Sequence, residues 1–185
     1  MTLLIRPPRL SDVGRLAVVN VDTWRDAYAG IVVEKRLDQM ELHEYRARWR
    51  VNVTELAHNT VCLVAELDGV VQAYAVGGPY RPQDEWDEPT GAATRLGEVY
   101  ALYAHPEVQG RGVGRAVHDA LLAGLATSGY LEAALWVLRD NTRGRAWYQR
   151  QGWHLDGATA DWVAHGVTHP EVRMRRLTHQ PYPSA

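Results

Sequence analysis

Three alternate glycines in one loop are the residues of this sequence best suited to binding chemistry. They lie in Gln109-Gly110-Arg111-Gly112-Val113-Gly114, between a predicted strand and a predicted helix. Glycine lets the backbone approach a ligand closely, and the first N–H groups of a helix favour an anion. The loop therefore predicts a phosphate site, with a tight structural turn as the alternative.

The loop does not match the two common nucleotide motifs. It lacks the Lys-Ser/Thr pair of a P-loop, and its spacing is Gly-x-Gly-x-Gly rather than the dinucleotide Gly-x-Gly-x-x-Gly. A nucleotide-binding module therefore stays only as a weaker alternative.

The other residue types that often do chemistry point to structural roles. Cys62 is the single cysteine and lies in an apolar run, which predicts a buried thiol in a reducing cytoplasm and excludes an internal disulfide. His165 and His169 are separated by Gly166 and followed by Pro170, so they cannot form a helical pair of ligands. We expect no metal site.

Helical and extended patterns alternate along the chain, which predicts an α/β or α+β fold. The Asp68-Gly69 pair between two apolar runs predicts a hairpin. The prolines and acidic residues of 77–91 predict a surface loop. Strands are predicted at residues 3–6, 61–67, 70–76, 98–104, 131–138, 153–163 and 172–177, and helices at 13–28, 34–50, 112–128 and 141–151.

Composition limits the classes of function. The chain has 185 residues, a formal net charge of -2, seven Trp, nine Tyr and no Phe. The near-neutral charge argues against nucleic-acid binding, and no apolar run approaches the ~18 residues of a membrane helix. The apolar part of the N-terminus is too short for a signal peptide. We expect one domain over residues 1–177 and a loose tail over 178–185.

Two blocks of sequence carry a resemblance to a known family. Leu102-Tyr103-Ala104-x-Pro106 and then Gln109-x-x-Gly112-x-Gly114 resemble the acetyl-CoA-binding motif of the GNAT superfamily of N-acetyltransferases. Asn141, Trp147-Tyr148 and Gly152-Trp153 are similar to its Asn, Phe/Tyr-Tyr and Gly-Phe signature. Together with the order of elements, the resemblance covers roughly residues 3–177.

The resemblance implies the acyl-CoA N-acyltransferase fold. This is a mixed, mostly antiparallel sheet of about seven strands, flanked by about four helices and splayed between strands 4 and 5 to hold acetyl-CoA. Asn141 is either a contact to the pantetheine arm or a plain helix N-cap. The backbone expected to hold the pantetheine is Leu102, Tyr103 and Ala104, and that expected to hold the pyrophosphate is Gln109, Gly110, Arg111, Gly112, Val113 and Gly114, with Arg115. In the loop, the side chains of Arg111 and Val113 matter less than the backbone.

The family transfers acetyl groups directly to amines. An alkylammonium titrates near 10.4, so a neutral amine at pH 7 costs about 3.4 pK units, or about 4.6 kcal/mol. Glu98 is the candidate base, acting through water or with a pKa raised by burial. Simple strand alternation places it on one face with Tyr100, Leu102 and Ala104. Tyr148 is the candidate acid for the departing sulfur; a solvated Glu98 and a core Tyr148 are the structural alternatives.

The acceptor site is expected at Trp24, Tyr28 and Glu98, although aromatic residues at helical spacing are more often core, and we favour core for Trp24. The cluster Asp84-Glu85-Trp86-Asp87-Glu88 would attract a cationic acceptor, but a charge run is usually a solvated loop.

The main hypothesis is an acetyl-CoA-dependent N-acetyltransferase. Its acceptor is a small-molecule amine or a protein amino group, and the enzyme is cytoplasmic and compatible with a homodimer. The second hypothesis is a catalytically silent acyl-CoA-binding or sensing module, which would keep the loop without the chemistry.

Overall fold

The computed structural model describes residues 1–83 and 95–179. Short 3-10 turns lie at Leu10–Asp12 and Pro106–Val108. The strands are β1 (Leu3–Arg6), β2 (Val61–Leu67), β3 (Val70–Pro79), β4 (Leu96–Ala104), β5 (Glu132–Leu138), β6 (His154–Ala164) and β7 (Val167–Leu177). The helices are α1 (Val13–Ala27), α2 (Glu34–Asp38), α3 (Leu42–Thr54), α4 (Val113–Thr127) and α5 (Thr142–Arg150).

All these strands belong to one sheet in the order β1-β2-β3-β4-β5-β7-β6. Strands β4 and β5 run parallel, whereas every other neighbouring pair is antiparallel. The β4–β5 pairing stops after Glu98 opposite Ala134, so the two strands separate over the rest of their length. This confirms the predicted mixed sheet splayed between its fourth and fifth strands.

Helices cover both faces of the sheet and bury two apolar cores. The side chains of α4 pack with Ala133, Leu135 and Met174 on one face. On the other face α1 and α3 pack with β2 and β3, where Cys62 lies. Burial raises the pKa of the Cys62 thiol to about 12, and the predicted buried thiol is confirmed.

Several boundaries differ from those the sequence predicts. The Asp68-Gly69 hairpin is confirmed, with φ of 50° and 85° at the two turn residues. The predicted helix over 34–50 was wrong, because the chain breaks after Asp38 into α2 and α3. The predicted loop from 77 was wrong at its start, because β3 continues to Pro79. Thr178, in the predicted tail, is buried and bonds the carbonyls of Tyr130 and Leu131.

A bulge in β4 exchanges the two faces of that strand. Val76 pairs with Ala101, whereas Gly77 pairs with Val99, so Tyr100 is an extra residue. Val99, Leu102 and Ala104 consequently face α4, and Ala101 and Tyr103 face α1 and α3. By alternation from Val99, Glu98 lies on the face of Ala101 and Tyr103. The expectation that Glu98 shares a face with Leu102 and Ala104 was wrong, because simple alternation does not anticipate a bulge.

A buried polar network joins α4 to the chain after α5. The indole N–H of Trp153 donates to Nε2 of His118 over 3.0 Å, and Nδ1 of His118 lies 2.8 Å from Oδ1 of Asp119. Because an indole nitrogen only donates, His118 must accept at Nε2 and donate at Nδ1, which fixes its neutral form. Burial lowers the pKa of His118, in agreement with that form, although Asp119 opposes the shift.

Replacing the donor of this network tests its contribution to stability. We expect Trp153→Phe to lower the free energy of unfolding by about 1–3 kcal/mol more than Trp136→Phe, because only the first leaves a buried acceptor unpaired. Trp136 is the matched control, since its buried indole nitrogen has no hydrogen-bond partner in residues 1–83 and 95–179. Urea unfolding of both variants measures the difference, and equal losses would contradict the network.

Candidate active site

A cavity of about 550 Å³ lies where β4 and β5 separate. Its walls are β4 from Val99 to Ala104, β5 from Leu135 to Val137, the glycine loop before α4, and α5. The sheet creates this space, because two strands that stop pairing leave a gap that the helices on either face do not fill.

The glycine loop gives the cavity a row of free backbone donors. Gly110 and Gly112 have φ of 75° and 81°, which favours glycine at both positions. Within the described chain, the N–H groups of Gly110, Gly112, Val113 and Gly114 have no backbone hydrogen-bond partner. A helix N-terminus with four such donors fits a phosphate group.

The side chains of the loop divide between the cavity and its surroundings. Gln109 and Arg115 line the cavity, whereas Val113 is fully buried in the core and Arg111 reaches the sulfur of Met1. Gln109 also bonds Asp26 of α1 and Arg143 of α5, which ties the loop to both helices. The expected order of importance, backbone before the side chains of Arg111 and Val113, therefore agrees with the geometry.

Strand β4 contributes an unpaired backbone edge to the same cavity. Leu102, Tyr103 and Ala104 all line it, and they lie beyond Glu98, the last residue of β4 that pairs with β5. The Ala104 carbonyl already accepts the Thr23 hydroxyl at 3.2 Å. A ligand with amide groups can pair with the rest of this edge as an additional strand would.

Two residues of the second sequence block enter the cavity from α5. Asn141 accepts the N–H of Gly144 at 2.8 Å, so it is an N-cap, and it also lines the cavity; the two expected roles are compatible. Tyr148 is half-buried between Trp147 and Trp153. Its hydroxyl has no hydrogen-bond partner among the described residues, and burial raises its pKa above the ordinary value.

Glu98 is placed differently from the sequence-based expectation. Its side chain is 2% exposed and does not line the cavity. Arg81 holds both carboxylate oxygens, with Nη2 at 2.6 Å from Oε1 and both Nε and the backbone N–H on Oε2. The guanidinium also stacks on the Tyr100 ring at 3.8 Å. Glu98 is therefore a buried, paired carboxylate on the α1–α3 face, and neither solvated nor directly at the cavity.

Glu171 is a second carboxylate on this side that sequence reasoning missed. It is half-buried in β7, and burial, followed by the charge of Glu98, raises its pKa. Glu171 in turn contributes to the raised pKa of Tyr28, for which burial is the main cause. The predicted last strand began at residue 172, so Glu171 was left in a connection; Pro170 hid the start of the strand.

Trp24 and Tyr28 lie together at the end of α1. Their rings are 4.7 Å apart, and Trp162 of β6 packs on Trp24 at 5.9 Å. Tyr28 lines the cavity, whereas Trp24 packs against the α1–α3 core and also lines a second cavity of about 330 Å³. Trp24 therefore belongs both to the α1–α3 core and to the wall of the second cavity.

Three further expectations concern metal sites, membrane helices and the acidic cluster. No group of three or more His, Cys, Asp or Glu side chains suited to a metal occurs among residues 1–83 and 95–179. In the same residues no helix is long and apolar enough to cross a membrane. The acidic cluster Asp84-Glu85-Trp86-Asp87-Glu88 lies outside the described residues.

Comparisons with known proteins agree with this geometry. Residues 21–153 match the family model described as the acetyltransferase (GNAT) family. The N-acetyltransferase YuaI of Bacillus subtilis is 28% identical over 74% of this chain and 72% of its own length. The mycothiol acetyltransferase of Kocuria rhizophila is 43% identical over 36% of this chain, a match that spans 23% of that protein. PaiA N-acetyltransferase from Thermoplasma acidophilum, solved with coenzyme A, has the same fold, with a TM-score of 0.70 and 18% identity over 96% of this chain and 99% of that one.

The cavity in a splayed sheet, the glycine loop beside it and the match over residues 21–153 define an N-acetyltransferase. The chain belongs to the acetyltransferase (GNAT) family.

Adding a side chain at Gly112 tests whether the backbone of the glycine loop holds the cofactor. We expect Gly112→Ala to weaken coenzyme A binding by about tenfold or more, because it disturbs donors to a charged group. Isothermal titration with coenzyme A measures the effect. Gly129→Ala is the matched control, since Gly129 also has a positive φ, of 93°, and follows the other end of α4. Equal affinities in the two variants would place the cofactor elsewhere.

Proposed function

We propose that this chain transfers the acetyl group of acetyl-CoA directly to a primary amine. The observation that carries the proposal is that one cavity is lined by two segments whose backbone groups lack backbone partners in the described chain. These segments are the β4 edge and the glycine loop. The loop donors fit a pyrophosphate and the β4 edge fits the amides of a pantetheine arm. The solved relative with coenzyme A supports this cofactor.

Backbone and side chains then divide the work of the transfer. A β4 N–H near Leu102 polarises the thioester carbonyl, as an oxyanion donor does. The amine nitrogen bonds to that carbon while the carbon–sulfur bond breaks. Tyr148, a phenol that is protonated at neutral pH, gives its proton to the departing sulfur and takes up another from solvent after the products leave. Alignment of the two substrates contributes on the order of 7–11 kcal/mol.

The proton lost by the amine goes through water to the carboxylates on the α1–α3 face. Glu98 is the first of these, on condition that Arg81 releases one oxygen. Glu171 is the second, and its raised pKa brings it closer to the working pH. Because the charge of Glu98 acts on Glu171, we assign the base to the pair rather than to either residue.

The proposal extends to the whole chain and its setting. The catalytic unit is one domain over residues 1–177, with a tail over 178–185. The buried free thiol of Cys62 suits the reducing cytoplasm. A homodimer is compatible with this arrangement.

Release of free thiol from acetyl-CoA tests the function. A panel of primary amines, from small molecules to peptides with a free N-terminus, should contain members that raise the release rate above hydrolysis. The silent binding module makes the opposite prediction: acetyl-CoA raises the unfolding temperature, but no amine releases thiol. Thermal protection without thiol release would therefore replace the enzyme with the binding module.

Removing the Tyr148 hydroxyl tests the proposed acid. We expect Tyr148→Phe to lower kcat by about 10²–10⁴-fold and to leave coenzyme A affinity unchanged. In the wild type, kcat should show no alkaline decline from this group below pH 10, because burial raises the pKa of Tyr148 above its ordinary value. Tyr130→Phe, outside the cavity, is the control. A Tyr148→Phe variant with wild-type kcat would remove the assignment.

The pH dependence of kcat/KM tests the carboxylate pair. The acidic limb should fall with decreasing pH, as the pair takes up a proton and ceases to be a base. Glu98→Gln should move this limb to lower pH, because Glu171 loses the neighbouring charge that helps to raise its pKa. Glu171→Gln should abolish or displace the limb. Glu55→Gln, which removes an exposed charge at the C-terminal end of α3, is the control.

If Glu98→Gln alone abolishes the limb, Glu98 is the base by itself. If neither substitution moves the limb, the base lies outside the pair and the assignment is wrong.

A further inference from the structure

A second cavity of about 330 Å³ lies on the α1–α3 face of the sheet. It shares Tyr100, Ala101 and Tyr103 with the larger cavity, so the two meet across β4 at the bulge. This volume is in the range of small-molecule sites. The proposed acetyl donor occupies the larger cavity, and the second cavity adjoins it across β4.

Two arginines, Arg36 and Arg48, line the second cavity, and none of its described lining residues is acidic. The other described lining residues are Asn20, Trp24, Tyr45, Trp49, Asn52, Tyr74, Val76, Tyr100, Ala101 and Tyr103. A small aromatic cavity with two cations favours a ligand that carries an anion.

Arg36 is held in place by an aromatic hydroxyl and an aromatic ring. Its Nη2 donates to the Tyr45 hydroxyl at 3.0 Å, and its guanidinium lies 5.2 Å from the centre of the Trp24 ring. Within residues 1–83 and 95–179, no carboxylate lies within ion-pair distance of Arg36, which is half-buried. The guanidinium of Arg48 lies 5.1 Å from the centre of the Tyr45 ring. Its ion pair with Glu44 is long, at 3.8 Å, and exposed to solvent. Both cations are therefore positioned around Tyr45 with donors to spare.

Two carboxylates lie on the same side of the sheet, outside the described lining of both cavities. Glu98 is on the face of Ala101 and Tyr103, and Glu171 interacts with Tyr28, which contacts Trp24. A ligand in the second cavity meets Arg36 and Arg48 at one end, and at the β4 end its amine reaches the proposed carboxylate pair through water. That polarity matches a molecule with an ammonium at one end and a carboxylate at the other.

We propose that the acceptor is a free amino acid, whose carboxylate is bound by Arg36 and Arg48 and whose amine faces β4. The inference rests on the proposed acetyl transfer. It selects a small molecule over a protein amino group, because a protein N-terminus presents a neutral peptide carbonyl where Arg36 and Arg48 offer a carboxylate site.

Binding and turnover are measured separately. Isothermal titration of the standard amino acids and the corresponding primary amides into coenzyme A-loaded protein measures acceptor binding without catalysis. Thiol release from acetyl-CoA, with the same compounds, measures turnover. We expect at least one amino acid to bind and react with a kcat/KM about tenfold or more above that of its amide, which has the same shape and lacks the anion.

Arg36→Gln connects that preference to the cavity. We expect it to raise the KM for the accepted amino acid by about 10- to 100-fold, with a small effect on kcat and on the amide. Arg46→Gln is the matched control, because Arg46 is an exposed arginine of α3 that does not line the cavity. Arg48→Gln should act in the same direction as Arg36→Gln.

Three outcomes would overturn the inference. Amides or decarboxylated amines that react as well as the amino acids would show that the anion is not recognised. Arg36→Gln and Arg46→Gln variants with the same KM would place the carboxylate elsewhere. Reaction only with peptides would make the acceptor a protein. In each case thiol release still supports acetyl transfer, whereas amino-acid binding without any thiol release would uphold the carboxylate site and reject the transfer.

Discussion

Beyond Glu98, the backbone of β4 has no strand partner on its β5 side among residues 1–83 and 95–179, and this constraint organises the site. Buried backbone N–H and C=O groups need hydrogen-bond partners, so a free edge inside a covered sheet is unfavourable unless a ligand or water satisfies it. The separation of β4 from β5 also creates the larger cavity. Binding energy and space for a cofactor therefore come from the same feature of the sheet.

The bulge at Tyr100 gives that edge two different sides. Val99, Leu102 and Ala104 face α4 and the glycine loop, whereas Ala101 and Tyr103 face the helices that enclose the second cavity. In the proposed function, one strand therefore serves the cofactor on one face and the acceptor on the other. Without the extra residue, Glu98 would point toward the cofactor side, away from Tyr28 and Glu171.

Much of this arrangement could be predicted from the sequence, because the signals are local. The glycine loop, the Asp68-Gly69 turn and the Asn141 cap depend on backbone conformations that specific residues favour, and the strands follow from apolar runs. The two blocks that resemble the family also predict the separation of β4 from β5. Replacement of Phe by Trp in the second block has a structural consequence, since the Trp153 N–H finds a partner in His118.

The features that could not be predicted depend on contacts between distant segments. The bulge depends on the register between β3 and β4. The ion pair of Arg81 with Glu98 depends on the path of the chain after β3. Glu171 comes within reach of the charge of Glu98 because β7 pairs with β5 along all of β5, from Glu132 to Leu138. Arg36 comes from a short helix in a region where the sequence predicts one long helix. Such tertiary placements leave no local pattern.

Amide hydrogen exchange with and without coenzyme A shows whether the free β4 edge and the glycine loop bind the cofactor together. We expect slower exchange on binding at amides within residues 99–104 and within 110–114, with β6 unchanged. Protection confined to the loop, with exchange in β4 unaltered, would contradict it.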